Sequence, residues 1–183
     1  GFTTIDRLDY ANDTATAVTK GPLATGRWGS TSTSSRESGL PTTGTGPVTV
    51  DKGADGYTVT TSGPAYGYAA GGVYNPGSAS TTVTQRIDFG NDTATAAPKG
   101  NLTTFHRMGA GTSSMTHGYL AGRLPSSTDG QSIDFSNDTA QSATKSNVLV
   151  DSANRRGAVS NINYGYFGGG TPSKTTVDRI NYS

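Results

Sequence analysis

The chain has no cysteine, which removes disulfides and thiolate metal sites from consideration. A small secreted animal domain would usually carry such staples, whereas virion and bacterial surface proteins often do without them. Nowhere does an apolar run approach the roughly 18 residues that span a bilayer, and the first residues do not read as a signal segment. An excess of one charge is missing too. Lys and Arg number 14 against 13 Asp and Glu, and the net +1 gives no electrostatic case for nucleic acid or an acidic membrane. Only 31% of the 183 residues are hydrophobic. Disorder, however, requires few aromatics and a high net charge, and here nine tyrosines, five phenylalanines and a tryptophan stand at regular places. Abundant Thr and turn residues without helical periodicity point to short strands. The expectation is a folded, all-β chain.

One phrase occurs four times. Thr4-Ile5-Asp6-Arg7-Leu8-Asp9-Tyr10 returns as Thr84-Gln85-Arg86-Ile87-Asp88-Phe89, Gln131-Ser132-Ile133-Asp134-Phe135 and Val177-Asp178-Arg179-Ile180-Asn181-Tyr182. Phe89, Phe135 and Tyr182 lie 46 and 47 residues apart. A fixed period of that size without helical pattern indicates stacked β-units. Each unit opens with Arg and a strand of small residues (Arg107–Gly111, Arg156–Ser160). A Gly-Tyr strand follows, around Tyr68, Tyr119 and Tyr166. The shared phrase is the third strand, expected over Asp6–Tyr10, Thr84–Phe89, Ser132–Phe135 and Val177–Tyr182. Asn-Asp-Thr-Ala comes next, and a fourth strand ends near Lys20, Lys99 and Lys145.

Each piece has a mechanical reading. Asn-Asp between period-two runs predicts a tight hairpin turn. The glycine pairs after the Gly-Tyr strand mark a crowded strand end or sharp turn. Arg7 with Asp9, and Arg86 with Asp88, share a face and are expected to form local ion pairs. Tyr68, Tyr119 and Tyr166, with Leu8, Ile87, Ile133 and Ile180, are the expected core.

Four short antiparallel strands in about 46 residues resemble the kelch repeat of β-propellers. The matching residues are the opening Arg, the Gly-Gly after an aromatic strand, and the aliphatic-Asp-aromatic of strand three. Strand four departs from the pattern, with Ala, Val and Thr where kelch units place a Trp. The phrasing Gly-Tyr-Phe-Gly-Gly-Gly, Thr-Val-Asp-Arg-Ile and Asn-Asp-Thr-Ala is also similar to propeller-type repeats in virion and tail-fibre proteins of marine bacteriophages. The resemblance covers nearly all of the chain outside residues 35–64. It implies a partial ring: a part-blade over 1–26, blades over 27–105 and 106–154, and a part-blade over 155–183, expected to belong to a longer propeller.

Roughly 29 extra residues, 35–64, separate strands one and two of the first full unit. Within them Val48-Thr49-Val50 and Tyr57-Thr58-Val59-Thr60 flank Asp51-Lys52-Gly53-Ala54-Asp55-Gly56, which reads as a hairpin projecting from the blade. The repeat does not require this segment, so it is either a contact element or a tolerated surface insertion.

Catalytic constellations are absent from the sequence pattern. His106 and His117 have no nucleophile or carboxylate at a motif spacing and read as surface or strand-edge residues. Ser127–Gln131 is a faint, single echo of the Asp-box hairpin of sialidases. Asp51 to Asp55 supply too few oxygens for calcium. Of five Asn-x-Ser/Thr sequons, three lie in the recurring turn, which explains them without glycosylation. No catalytic, cofactor or metal residue is assigned. Trp28 aligns with Met108 and Arg156; a position that accepts Arg is not deep core, so Trp28 is expected to be partly exposed. With Tyr57 and Tyr74 it is a candidate platform for a sugar or a protein partner, against the alternative that each ring packs on its own loop.

The functional expectation is a non-enzymatic structural or adhesive module of a virion, tail fibre or extracellular appendage serving host attachment. Its expected partners are other structural chains or copies of itself, not nucleic acid and not a membrane interior. The alternative is a lectin-like propeller recognising surface glycans. A propeller glycosidase or oxidase is more remote, since it would need clustered carboxylates or metal-binding His and Tyr supplied by other blades.

Overall fold

The computed structural model describes residues 2–8, 14–34, 48–53, 56–61, 66–74, 79–161 and 163–182; at Ser34 and across 48–61 it describes the backbone alone. The chain is all-β, arranged as successive small antiparallel sheets, none closed on itself. The first unit holds β1 (Ile5–Arg7) and β2 (Val18–Lys20). β3 (Arg27–Trp28) opens the second unit, followed by β4 (Thr31–Ser34). The inserted hairpin is β5 (Val48–Gly53) and β6 (Gly56–Thr61). The second unit continues with β7 (Tyr66–Ala70), β8 (Val73–Tyr74), β9 (Thr84–Asp88) and β10 (Ala97–Lys99). In the third lie β11 (Ala110–Ser113), β12 (His117–Ala121), β13 (Gly130–Asp134) and β14 (Ala143–Lys145). β15 (Gly157–Ser160), β16 (Tyr164–Gly168) and β17 (Val177–Asn181) make the fourth.

Two sheets are four-stranded meanders, β4-β7-β9-β10 and β11-β12-β13-β14, and a third runs β15-β16-β17. β5 and β6 pair only with each other, in register from Val48↔Thr61 to Gly53↔Gly56, so the insertion forms its own ladder rather than widening the sheet. Whether Val48, Val50, Tyr57 and Val59 touch a partner falls on side chains outside the described residues. The first strands of successive units stand together, β4 against β11 and β11 against β15.

The third strands fall close to their expected places, but the aromatic ends leave the ladder. Phe89–Asn91 and Phe135–Asn137 form short 3-10 turns, N-capped by Asp88 and Asp134, whose carboxylates accept from the amides of Gly90 and Ser136 at 2.8 Å. The tight Asn-Asp hairpin is therefore corrected to a longer loop. A capping Asp satisfies orphan amides and draws the chain out of the ladder before the Asn-Asp pair is reached. In that loop Asn91 and Asn137 accept from Thr93 and Thr139 at 3.3 and 3.2 Å, which accounts for Asn-x-Thr.

The Gly-Tyr pair follows from where the aromatic goes. Gly67, Gly118 and Gly165 face Ile87, Ile133 and Ile180 across the ladder, and the ring two residues beyond each Ile folds back over the glycine. A Cβ at Gly67 would stand 2.7 Å from Phe89, and one at Gly165 would stand 2.7 Å from the Tyr182 hydroxyl. At Gly118 it would meet Phe135 at 3.2 Å. Gly118→Ala is expected to destabilise by about 1–3 kcal/mol through overpacking, read as a lower urea midpoint with an unchanged slope.

Hydrophobic burial sits in three seams between sheets. Ile5 and Leu23 meet Ala69, Ile87 and Ala96 at the first. Tyr68, Ala70 and Leu102 meet Leu120 and Ile133 at the second, and Ala110, Ala121 and Leu149 meet Ala158, Phe167 and Ile180 at the third. Along strand two the alternation sends Tyr68 and Tyr119 towards the following unit, with Tyr166 on the corresponding face of the fourth, and Ala69, Leu120 and Phe167 towards the preceding one. Tyr68 and Ile133 are buried as expected, while Tyr119, Tyr166, Ile87 and Ile180 are half-buried. Leu8 is a correction: it is exposed, because its face of β1 has no sheet against it among the described residues.

Candidate functional site

The most organised polar site lies in the seam between the second and third units. Asp138 sits in the loop of the third unit, almost buried, and gathers three donors from the second. Its carboxylate takes Arg86 at 2.8 Å, Lys99 at 3.1 Å and the Tyr68 hydroxyl at 3.0 Å. Its backbone carbonyl accepts from the amide of Gly100 at 2.8 Å. Burial alone would push the Asp138 carboxyl up. Hydrogen bonds from Lys99 and Tyr68 and the charge of Arg86 more than offset this and hold it below its ordinary value. Tyr68 moves the other way, its phenol raised by burial and by the neighbouring Asp138 charge.

The same construction stands one seam earlier. Asp92 takes Arg7 at 2.7 Å and Lys20 at 3.3 Å, and its carbonyl takes the Gly21 amide at 2.7 Å. The strand-three Arg, the strand-four Lys and the loop Asp are therefore one clasp, assembled from consecutive units. This corrects the expected local ion pair of Arg86 with Asp88, since Asp88 is occupied capping its own 3-10 turn. Asp9, the expected partner of Arg7, lies outside the described residues. Aromatic rings complete the seams. Tyr68 stacks on Phe135 with centroids 5.1 Å apart, and Tyr119 stacks on Tyr182 at 5.1 Å.

The opening arginines serve a different purpose. Arg156 is buried against Asp178 at 2.7 Å and donates to the Asp151 carbonyl at 2.9 Å. Arg27 donates to the carbonyls of Gly71 and Val83 at 2.8 and 2.9 Å and to the Gln85 side chain. Burial lowers the Arg27 pKa. These guanidiniums pin strand one to strand three of their own unit. The premise that an Arg marks an exposed position fails at Arg156, although Trp28 is indeed exposed.

Of the candidate platform, Trp28 pairs across β3–β8 with Val73, and Tyr74 pairs with Arg27, so the two rings occupy different rungs. Tyr74 is half-buried, and the Tyr57 side chain lies outside the described residues. His117 is half-buried beside Thr116, 3.0 Å from its hydroxyl. His106 is a correction. It is fully buried at the second seam, where its carbonyl accepts from Gly72 at 2.7 Å and its ring packs over Gly109. Neither ring nitrogen makes a well-formed hydrogen bond, and burial, with Arg123 nearby, outweighs the opposing pull of the Ala121 backbone and lowers its pKa to about 4.

An open cleft of about 450 Å³ lies at the third seam, lined by Ser114, Met115, Thr116, Asn163, Tyr164, Asn181 and Tyr182. Among the described residues no charged side chain lines it. Asn181 and Tyr182 replace the Asp and Phe of the two preceding units, so the lining carries amides and hydroxyls where those units carry a carboxylate and a plain ring. Among the described residues no three His, Asp or Glu side chains come together in a way that would hold a metal ion.

Sequence reasoning missed two sets of residues. Leu23, Leu102 and Leu149, each three or four residues after the strand-four lysine, are buried in the seams. Their recurrence after Lys20, Lys99 and Lys145 is the signal that would have found them. The loop Asp was seen as a turn former only; its constant spacing of three from the aromatic, in Phe89–Asp92 and Phe135–Asp138, is the signature of the clasp.

No family model matches the chain, and no curated protein matches it.

Proposed function

We propose that the chain is a run of kelch-like β-propeller blades serving as a stiff, non-enzymatic structural or adhesive module of a virion, tail fibre or extracellular appendage. The observation that carries this reading is the repeated Arg-Lys-Asp clasp. At the first two seams the charged side chains of the repeat tie one unit to the next instead of converging on a cleft. The convergence of β4, β11 and β15 suits blades set around an axis by their first strands. Lacking cysteine, such a module draws its rigidity from seams of this kind. Immunogold labelling of the source's particles and cell surfaces with antibodies to the chain tests the assignment. Label on particles or appendages is expected, and label confined to the cytosol overturns it.

A second reading, a lectin-like propeller, is favoured by the neutral cleft at the third seam, whose amides and hydroxyls suit an uncharged sugar. Retention on a neutral-glycan array that Asn163→Ala abolishes, without turnover of the glycan, is the outcome it requires.

A further inference from the structure

Three arginines stand apart from the clasps. Arg107 precedes and Arg123 follows the β11–β12 hairpin of the third unit, and Arg155 leads into β15 of the fourth. Backbone hydrogen bonds draw their segments together. The Leu124 amide donates to the Arg107 carbonyl at 2.9 Å, and the Arg155 amide donates to the Met108 carbonyl at 2.6 Å. This end of the sheets is opposite the neutral cleft, since β12 starts beside Thr116 and ends at Ala121, two residues before Arg123.

Arg7, Arg86 and Arg156 each meet a carboxylate, and Arg27 is held by carbonyls and Gln85. Among the described residues no carboxylate pairs with Arg107, Arg123 or Arg155. The acids on the Arg155 side are taken, Asp151 by Lys174 at 3.7 Å and Asp178 by Arg156 at 2.7 Å. The Nε of Arg107 is buried without a hydrogen bond. Three guanidiniums thus gather without counter-charge in a chain whose net charge is only +1.

The backbone here is strained and the charge has an apolar border. Gly29, Met108 and Arg155 hold the same place in successive units, with the Met108 amide donating to the Gly29 carbonyl at 2.9 Å. All three are left-handed, with φ of 61°, 55° and 56°. Glycine adopts that conformation freely, whereas Met and Arg adopt it against the clash of their Cβ. Strain of this kind collects at binding sites. Phe105 is 38% exposed, and the Arg123 guanidinium stands 5.9 Å from its ring centroid, which orients the charge. A Cβ at Gly29 would stand 3.6 Å from the Met108 Cγ, so the Met108 side chain extends the apolar border.

We propose that Arg107, Arg123 and Arg155 bind the carboxylate of an acidic sugar on a surface glycan, with the sugar ring against Phe105 and Met108. A guanidinium forks onto a planar carboxylate with two parallel hydrogen bonds, and the apolar face of a sugar ring suits an aromatic neighbour. Nucleic acid asks instead for a stripe of cations along its phosphates, and an acidic peptide has no use for the apolar border. The site is independent of the neutral cleft and of where the module is used.

The test is calorimetric titration of the 183-residue chain with trigalacturonate and with its fully methyl-esterified form, which keeps the rings and removes the charge. The acid is expected to bind at least about tenfold more tightly than the ester. Arg123→Gln and Arg155→Gln are each expected to weaken binding of the acid by about fivefold or more, with wild-type melting. Arg179→Gln, which removes the same charge elsewhere in the fourth unit, and Asn163→Ala at the neutral cleft are expected to bind the acid as the wild type does. No binding of the acid, or equal binding of acid and ester, overturns the proposal. So does undiminished binding by Arg123→Gln and Arg155→Gln, and so does loss of binding in Asn163→Ala, which would place the ligand in the neutral cleft. Tighter binding of a hexaglutamate peptide or of single-stranded DNA overturns it in favour of that partner.

Discussion

Asp138→Asn is expected to destabilise the chain by about 3 kcal/mol, because removing one partner of a nearly buried ion cluster leaves the others uncompensated. Asn offers one acceptor oxygen and no charge to three donors. It leaves Arg86 and Lys99, neighbours on the second unit's side of the seam, without a counter-charge where their side chains are only 25% and 13% exposed. The partial exposure of Arg86 places the effect at the lower end of what buried pairs show. Arg7→Gln at the preceding seam is the contrast. The Arg7 side chain is 58% exposed, so its loss is expected to cost under about 1 kcal/mol. Equilibrium urea unfolding of both variants measures the difference; equal effects would show that burial of the clasp does not matter. The same carboxylate sets an acid limb. Its folded pKa is depressed, so its contribution is complete above the ordinary carboxylate range and is lost as pH falls through the folded value. Asp138→Asn is expected to flatten that limb.

The period was legible because it is a local property. Each unit repeats its own hydrogen-bonded ladder, and the aromatic ends of strand three carry the register. What joins the units was not legible, for a physical reason. Arg86 and Asp138 are 52 residues apart, whereas Arg86 and Asp88 share a strand face, so a local rule of pairing selects the wrong acid. The wrong acid was already committed: a carboxylate one residue ahead of a 3-10 turn is held by that turn's amides. The opening arginine misled in the same way. Arg156 is charged and wholly buried, which composition penalises, but Asp178 on the same unit's third strand neutralises it at 2.7 Å. Of the candidate platform, the Tyr57 side chain lies outside the described residues. Trp28 and Tyr74 stand on different rungs of a two-residue ladder.

His106 gives the chain a second pH response, in a window separate from that of the aspartates. Its imidazole is fully buried, with no well-formed hydrogen bond at either nitrogen and only the Ala121 backbone to favour the charged form, so charging it in place is costly. Burial first, and the positive Arg123 second, lower its pKa to about 4, from an ordinary value of 6.5. The folded chain thus keeps it neutral in a range where the unfolded chain protonates it. Above about pH 6.5 both states are neutral and His106 adds no pH dependence. Between about 6.5 and 4 the unfolded state binds the extra proton, so stability falls as pH falls. Below about 4 both states are charged and the slope ends. The full change is about 3 kcal/mol for a shift of this size. Urea midpoints taken at half-unit steps from pH 7.5 to 4 are expected to decline in the wild type. In His106→Gln the decline is expected to vanish over the same window, whatever its absolute stability, since the comparison is of slopes. Because His106 sits in the second seam, where its carbonyl holds Gly72, the loss is expected to register there first. The protection factor of the Gly72 amide, whose bond closes that seam, should fall between pH 6.5 and 4 by more than that of Gly169, whose amide bonds within the fourth unit. Equal slopes in wild type and His106→Gln would place the titrating group elsewhere and remove His106 from the account.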